Sequence, residues 1–337
     1  MKIVRTDSEL QTPKLDAALK AAGHDLVLLP DGIADDALLE ATSDADLILM
    51  CYTPITRQVI KNAAKLRGIV KYGVGIDAID IPAAIEAGVA VVNVPEYAEE
   101  TVAEGAFALL IALAKKLTAL NTHMTAEGWA WPEPTWLGSD IAGKTVGIIG
   151  LGKIGRSMAR MAGQGFRANV IAYSPHASAT EMAELGVTKI ENLHDLMAQS
   201  DFVTIHSVLN DDTRGMIGAD ELRAMKPSAF LINVSRGAIV DEAALVQAIR
   251  EGWIAGAGLD VFSQEPLAKT GHPMSELFKH PNVILSPHLT FYTEDAMQRL
   301  EDETIERCQE VLAGRDVLIK SHDPRLRAQR KGVVFAE

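Results

Sequence analysis

Residues 145–155 read TVGIIGLGKIG, and their reading decides the fold of the chain. An apolar, strand-like run passes directly into Gly150-Leu151-Gly152-Lys153-Ile154-Gly155, and SMARMAGQG then continues as a helical pattern. A strand before the glycines and a helix after them is the context in which G-x-G-x-x-G holds the pyrophosphate of a dinucleotide. Gly150 makes the tight turn, Gly152 lets the pyrophosphate approach the backbone, and Gly155 lets the helix pack on the strand. The helix opening at Lys153 and Ile154 then turns its N-terminus toward the negative phosphates.

Outward from this motif the chain alternates apolar runs with helical patterns. Strands are expected at 2–5, 25–29, 47–51, 68–71 and 89–93, and again at 145–149, 169–173, 202–206, 229–233, 255–259 and 283–285. Alternating βαβ units predict parallel, doubly wound sheets, and continuous apolar runs suit strands covered on both faces. A long helix is expected over 99–120, followed by the Trp- and Pro-rich loop GWAWPEPTWLG. The last helical pattern, 293–313, comes after the second sheet is complete, so its natural place is against the first domain. The expected architecture is α/β, a Rossmann domain inserted into a flavodoxin-like one. Residues 1–97 and 290–320 would form the discontinuous substrate domain and 98–289 the dinucleotide domain. The basic, weakly periodic residues 321–337 would form an extended or disordered tail.

The 337 residues make about two domains at roughly 100–200 residues each. A composition of 48% hydrophobic and 23% charged residues is that of a globular chain with a sizeable core. The 45 acidic against 32 basic residues give a formal charge of −13, which argues against nucleic-acid or anionic-membrane partners. Cys51 and Cys308 form no CxxC pair, and the N-terminus lacks a long apolar signal region, so a cytoplasmic protein is expected. There is no HExxH, no ligand-spaced Cys/His cluster, no GxSxG elbow and no Walker A motif, so no catalytic metal is expected.

At the end of the second Rossmann strand, NAD enzymes place an acid on the ribose hydroxyls. Here the chain reads AYSPH, with Ser174 in that place and His176 two residues on. The group that would repel a 2′-phosphate is absent and no Arg stands beside it, so NAD and NADP both remain open. Polar residues also stand at the ends of later strands: NVSRG with Val234, Ser235 and Arg236, GLDVF with Asp260, QEP with Glu265, and SPH with His288. Carboxyl ends of parallel strands are where open α/β sheets bind ligands. Arg, Glu and His converging there would supply a carboxylate clamp and an acid–base pair.

The ordered set VGIIGLGKIG, NVSRGAIVDEAAL, GAGLDVFSQEP and HPNVILSPH, with KYGVGIDAID and NVPEYAEETVAEGAFALL upstream, resembles the D-isomer-specific 2-hydroxyacid dehydrogenase family. The resemblance runs from about residue 45 to 315. It implies that Arg236 binds the substrate carboxylate, and a planar guanidinium suits that bidentate task. It implies that His288 is the general acid–base, that Glu265 hydrogen-bonds it and favours the charged imidazolium, and that Asp260 supports the nicotinamide. Backbone amides at Tyr72-Gly73-Val74-Gly75 would receive the substrate carboxylate. Tyr52, Tyr97, Phe291 and Tyr292 resemble the aromatics that close around a small 2-oxo acid in the D-lactate dehydrogenase branch. Trp129 and Trp131 are further lining candidates. A homodimer is implied as well. Two rivals share the frame: a dinucleotide-sensing corepressor of the C-terminal-binding-protein type, and a dehydrogenase for formate, phosphoglycerate or a phosphonate-type compound.

Overall fold

The computed structural model describes residues 1–336. The chain divides into two compact units, Met1–Ala98 with Thr293 onward, and Glu99–Tyr292. In the first unit the strands are β1 (Lys2–Arg5), β2 (Asp25–Leu28), β3 (Leu47–Met50), β4 (Gly68–Lys71) and β5 (Ala90–Asn93). They form one parallel sheet in the order β2-β1-β3-β4-β5, the flavodoxin-like winding. β3, β4 and β5 are buried at every position, because helices cover both faces.

The second unit carries β6 (Thr145–Ile149), β7 (Asn169–Tyr173), β8 (Val187–Lys189), β9 (Phe202–Ile205), β10 (Phe230–Asn233), β11 (Gly256–Leu259) and β12 (Val283–Leu285). Their order is β12-β11-β10-β9-β6-β7-β8, all parallel, which is the Rossmann order with one further strand. Successive side chains alternate between the two faces of this sheet. Val146, Ile148, Phe202 and Ile232 enter one core, while Ile149, Val203, Ile205 and Leu231 enter the other. Among the described residues no helix is long and apolar enough to cross a membrane.

Three expectations need correction. The single helix expected over 99–120 is two, Glu99–Ala114 and Leu117–Glu127. Lys116 takes a left-handed φ of 52° between them, and the Ala114 carbonyl is captured by the Ser139 amide at 2.7 Å. β8 was not expected, since its burial on one side only leaves VTK without an apolar run. Residues 321–336 form neither a free arm nor a disordered end. β13 (Val317–Ile319) pairs in parallel with β14 (Val333–Phe335), and a short helix, Pro324–Arg327, lies between them.

One residue explains why the tail is fixed. β5 is an edge strand, whose backbone groups need partners or cover. The buried Gln329 amide supplies them, accepting the Val91 N–H at 2.7 Å and donating to the Val91 carbonyl at 2.8 Å. Gln329→Ala leaves that buried pair unsatisfied, so the unfolding free energy should fall by about 2 kcal/mol in urea denaturation. Wild-type stability in that variant would mean that the edge is hydrated instead.

Candidate active site

The sheet of the second unit reverses its winding between β6 and β9, and the glycine turn stands there. Gly150 has a φ of 90°, and its N–H donates to the Tyr173 carbonyl at 2.9 Å. A Cβ on Gly150 would lie 2.7 Å from the Ser207 nitrogen, and one on Gly155 would lie 2.1 Å from the Gly150 oxygen. The protein's own backbone therefore demands glycine at both. A Cβ on Gly152 would meet nothing within 4 Å. That opening lies before the helix Lys153–Arg160, whose N-terminus has no side-chain cap. Its first-turn N–H groups are left for an external anion. The Lys153 ammonium lies 3.0 Å from Glu99 Oε1, so Lys153 and Ile154 address such an anion through their backbone. These features fit a dinucleotide pyrophosphate.

Ser174 follows β7 half-buried, and His176 is exposed. Sequence reasoning missed two neighbours. Arg156 donates through Nε to the Leu151 carbonyl at 3.2 Å, and its charge lowers the Glu181 carboxyl after the Ser178 N–H and hydroxyl have done so. His206 follows β9, with Nε2 2.9 Å from Thr204 Oγ1 and no partner for Nδ1 among the described residues. Burial pushes its imidazole down to about 3, so it is neutral. The signal for it was a polar residue ending the apolar run FVTI.

Arg236 follows β10 in a loop braced by Asn233. Asn233 Nδ2 donates to the Arg236 carbonyl at 2.9 Å, and Asn233 Oδ1 accepts the Ser235 N–H at 3.1 Å. The Ser235 hydroxyl donates to the Ile205 carbonyl at 2.8 Å, and Val234 is buried. Arg236 Nη1 donates to the Ser235 carbonyl at 2.7 Å. A Cβ on Gly237 would lie 2.1 Å from the Phe262 carbonyl carbon, so glycine lets this loop close on the one that bears Glu265. Glu265 Oε1 accepts the Phe262 N–H at 2.9 Å, and Oε2 lies 2.9 Å from His288 Nδ1. Burial alone would raise the Glu265 carboxyl. The bond and charge of His288, the Phe262 N–H and the charge of Arg236 outweigh it and hold the group below its ordinary range.

His288 itself has a left-handed φ of 57°. Asp260, fully buried, takes the N–H of Leu289 at 2.9 Å, the N–H of Thr290 at 3.0 Å and the Thr290 hydroxyl at 2.6 Å. Its side chain is thus occupied in holding the segment after His288. The buried Phe291 meets His288 edge-on at 6.3 Å and Tyr292 at 6.0 Å, and Tyr292 is exposed. Trp129 and Trp131 form an exposed edge-to-face pair at 6.3 Å.

In the first unit, Tyr72 departs from expectation. Its side chain is fully buried with the hydroxyl on the Thr6 and Asp7 carbonyls, and its N–H is taken by the Met50 carbonyl at 3.1 Å. The Gly73 N–H is taken by the Lys71 carbonyl at 3.0 Å. Of the four expected amides, Val74 and Gly75 therefore remain. Tyr52 is exposed, with the Lys71 ammonium 5.3 Å from its ring centroid, and Tyr97 is buried.

The sequence profile of the D-isomer specific 2-hydroxyacid dehydrogenase NAD binding domain matches residues 107–290. The chain belongs to the D-isomer specific 2-hydroxyacid dehydrogenase family. It is 40% identical over 272 residues to a glyoxylate reductase of Korarchaeum cryptofilum (strain OPF8), a match covering 80% of each chain. It resembles the structure of D-lactate dehydrogenase from Aquifex aeolicus complexed with NAD and lactic acid, with a TM-score of 0.82, 26% identity, and 93% and 96% of the two chains covered. An acyclic imino acid reductase (Bsp5) in complex with NADPH and D-Arg gives a TM-score of 0.81, 28% identity and coverage of 93% and 97%. This dehydrogenase is accordingly an oxidoreductase of 2-hydroxy acids that uses a nicotinamide cofactor.

The glycine turn of the dehydrogenase yields a test that separates folding from ligand binding. Gly152→Ala costs about 1 kcal/mol or less, the difference between Gly and Ala at a helix N-cap. Because the new methyl occupies the opening, dinucleotide affinity measured by fluorescence titration should fall by about tenfold or more. Unchanged affinity would remove Gly152 from the phosphate site.

Proposed function

We propose that the dehydrogenase reduces a small 2-oxo acid, glyoxylate or a close homologue such as pyruvate or hydroxypyruvate, to the D-2-hydroxy acid, and that it accepts both NADH and NADPH. The observation that carries this reading is the 2.9 Å contact between His288 Nδ1 and Glu265 Oε2, with the charge of Arg236 acting on the same carboxyl. The nicotinamide, when bound, supplies the hydride. With Nδ1 committed to Glu265, Nε2 is the atom of His288 that moves a proton. In reduction Nε2 gives it to the oxygen that was the carbonyl, and in oxidation it takes the hydroxyl proton back. Arg236 offers a planar fork of donors to the carboxylate and so orients the 2-oxo group. In this reading the first unit is the substrate unit, and its Val74 and Gly75 amides are uncharged donors for a carboxylate. The second unit holds the cofactor. Ser174 contributes no negative charge against a 2′-phosphate, and Arg156, whose charge reaches Glu181, adds a cation near that edge, which favours acceptance of both cofactors.

A panel of 2-oxo acids assayed with NADH and with NADPH tests the reading. At least one substrate should reach a kcat/KM near or above about 10⁴ M⁻¹s⁻¹, and the two cofactors should differ by less than about a thousandfold. Uniformly feeble rates, with tight cofactor binding retained, would overturn the enzymatic reading in favour of a dinucleotide sensor.

Glu265→Gln removes the anion beside His288 while keeping a hydrogen-bonding group for Nδ1. The kcat/KM for reduction should fall by about tenfold or more, as for loss of a charge-assisted hydrogen bond, while nucleotide affinity changes by less than about threefold. An unchanged kcat/KM would disprove the coupling.

A further inference from the structure

The Val74 and Gly75 amides can receive a carboxylate only if something aims them, and the end of β5 does so. The Gly73 carbonyl accepts the Val94 N–H at 3.1 Å, and the Val74 carbonyl accepts Asn93 Nδ2 at 2.6 Å. In a planar trans peptide the N–H lies on the side opposite the C=O. The Gly73 carbonyl shares its peptide with the Val74 N–H, and the Val74 carbonyl shares its peptide with the Gly75 N–H. Holding both carbonyls toward β5 therefore turns both N–H groups away from it. Among the described residues neither N–H has an acceptor, and Val74 is 39% exposed. Two successive amides turned to one side form a concavity for an anion. The Lys71 ammonium makes the field positive there, since a Cβ on Gly73 would lie 3.1 Å from its Nζ.

Asn93 stands out among its neighbours. It is 3% exposed, in a strand end that otherwise reads Val91, Val92 and Val94, all buried. Among the described residues its Oδ1 has no partner, a cost that an apolar side chain would avoid. Its one side-chain bond among the described residues is the donation to Val74. We propose that Asn93 is a positioning residue for the substrate carboxylate, fixing the Val74–Gly75 peptide so that the two amides present their N–H groups to it. This rests on the reading that these amides bind the carboxylate of a 2-oxo acid.

The test uses the full-length enzyme, the best 2-oxo acid of the panel and oxamate as a non-reacting carboxylate probe. In Asn93→Ala and in Asn93→Leu, which keeps the branched shape without the donor, the substrate KM and the oxamate Ki should rise by about tenfold, as for loss of about one hydrogen bond that holds the site. kcat and nucleotide affinity should change by less than about threefold, a split that general loosening of the fold would not produce. Values of KM and Ki within about twofold of wild type, or an equal loss in all four quantities, would overturn the proposal. A measurement on the wild-type enzyme covers the case in which both variants fail to fold. In the amide NMR spectrum with cofactor bound, oxamate should shift the Val74 and Gly75 N–H resonances while the Asn93 side-chain amide stays protected from exchange. Unmoved Val74 and Gly75 signals, or a freely exchanging Asn93 amide, would equally overturn it. A wild-type enzyme inactive on every 2-oxo acid would instead defeat the functional reading itself.

Discussion

The turn that carries His288 exists because Asp260 holds it. A histidine at a positive φ is an unfavourable backbone state, of order 1–3 kcal/mol, and persists only where its surroundings over-determine it. Here both carboxyl oxygens of a fully buried Asp260 accept from the two residues that follow the histidine. Asp260 is tied in turn to the neighbouring strand, its N–H donating to the Asn233 carbonyl at 3.0 Å. Asn233 braces the Arg236 loop through its side chain. Arg236 and His288 are therefore placed by one backbone bond between β10 and β11 and by the two polar side chains at their ends. Glu265 joins them through the Phe262 N–H, two residues beyond Asp260. The proposed acid–base pair, assembled this way, inherits the rigidity of a central sheet rather than the freedom of a loop.

The first unit solves the same problem with the same kind of residue. Where the winding reverses between β1 and β3, the loops diverge and leave orphan amides. Asp7, buried and at a φ of 59°, collects the N–H groups of Cys51, Tyr52 and Thr53 and the Thr53 hydroxyl. Burial would raise its carboxyl, but the bonds from Thr6, Thr53, Cys51 and Tyr52 hold it below the ordinary range. Parallel strands make such devices necessary. Their carboxyl ends all open on one edge, so exposed amides accumulate exactly where ligands approach, and a buried acceptor decides which amides stay available.

Much of this was legible in the sequence, for a physical reason. Strands covered on both faces are apolar over most of their length, so β3, β4, β9 and β10 announce themselves without any alternation. Arg236, Glu265 and His288 stand out because polar residues at the ends of such runs need a purpose. What stayed hidden was set by distant contacts. The helix break at Lys116 depends on Ser139, the order of the tail on Gln329 and Val91, and the burial of Tyr72 on the carbonyls of Thr6 and Asp7. None of these partners is near in sequence. Asn93 was invisible for a different reason: one asparagine at a strand end reads as a turn former, and only its bond to Val74 shows that it governs a neighbouring loop.

The glycine fingerprint shows where a motif stops being self-explanatory. Its three glycines look equivalent on paper, yet they answer to different constraints. Gly150 and Gly155 are required by the protein's own backbone, which a side chain at either would strike. A chain with no ligand would need them just as much, so they speak for the strand–turn–helix and say nothing about phosphate. Gly152 has open space around the position of a Cβ, and its helix begins with no capping side chain although Ser, Thr or Asp would stabilise it there. The fold gains nothing from glycine at that position and forgoes a cap by keeping it. Of the three, Gly152 alone answers to no constraint of the fold, and it is the one that the proposed pyrophosphate site asks for.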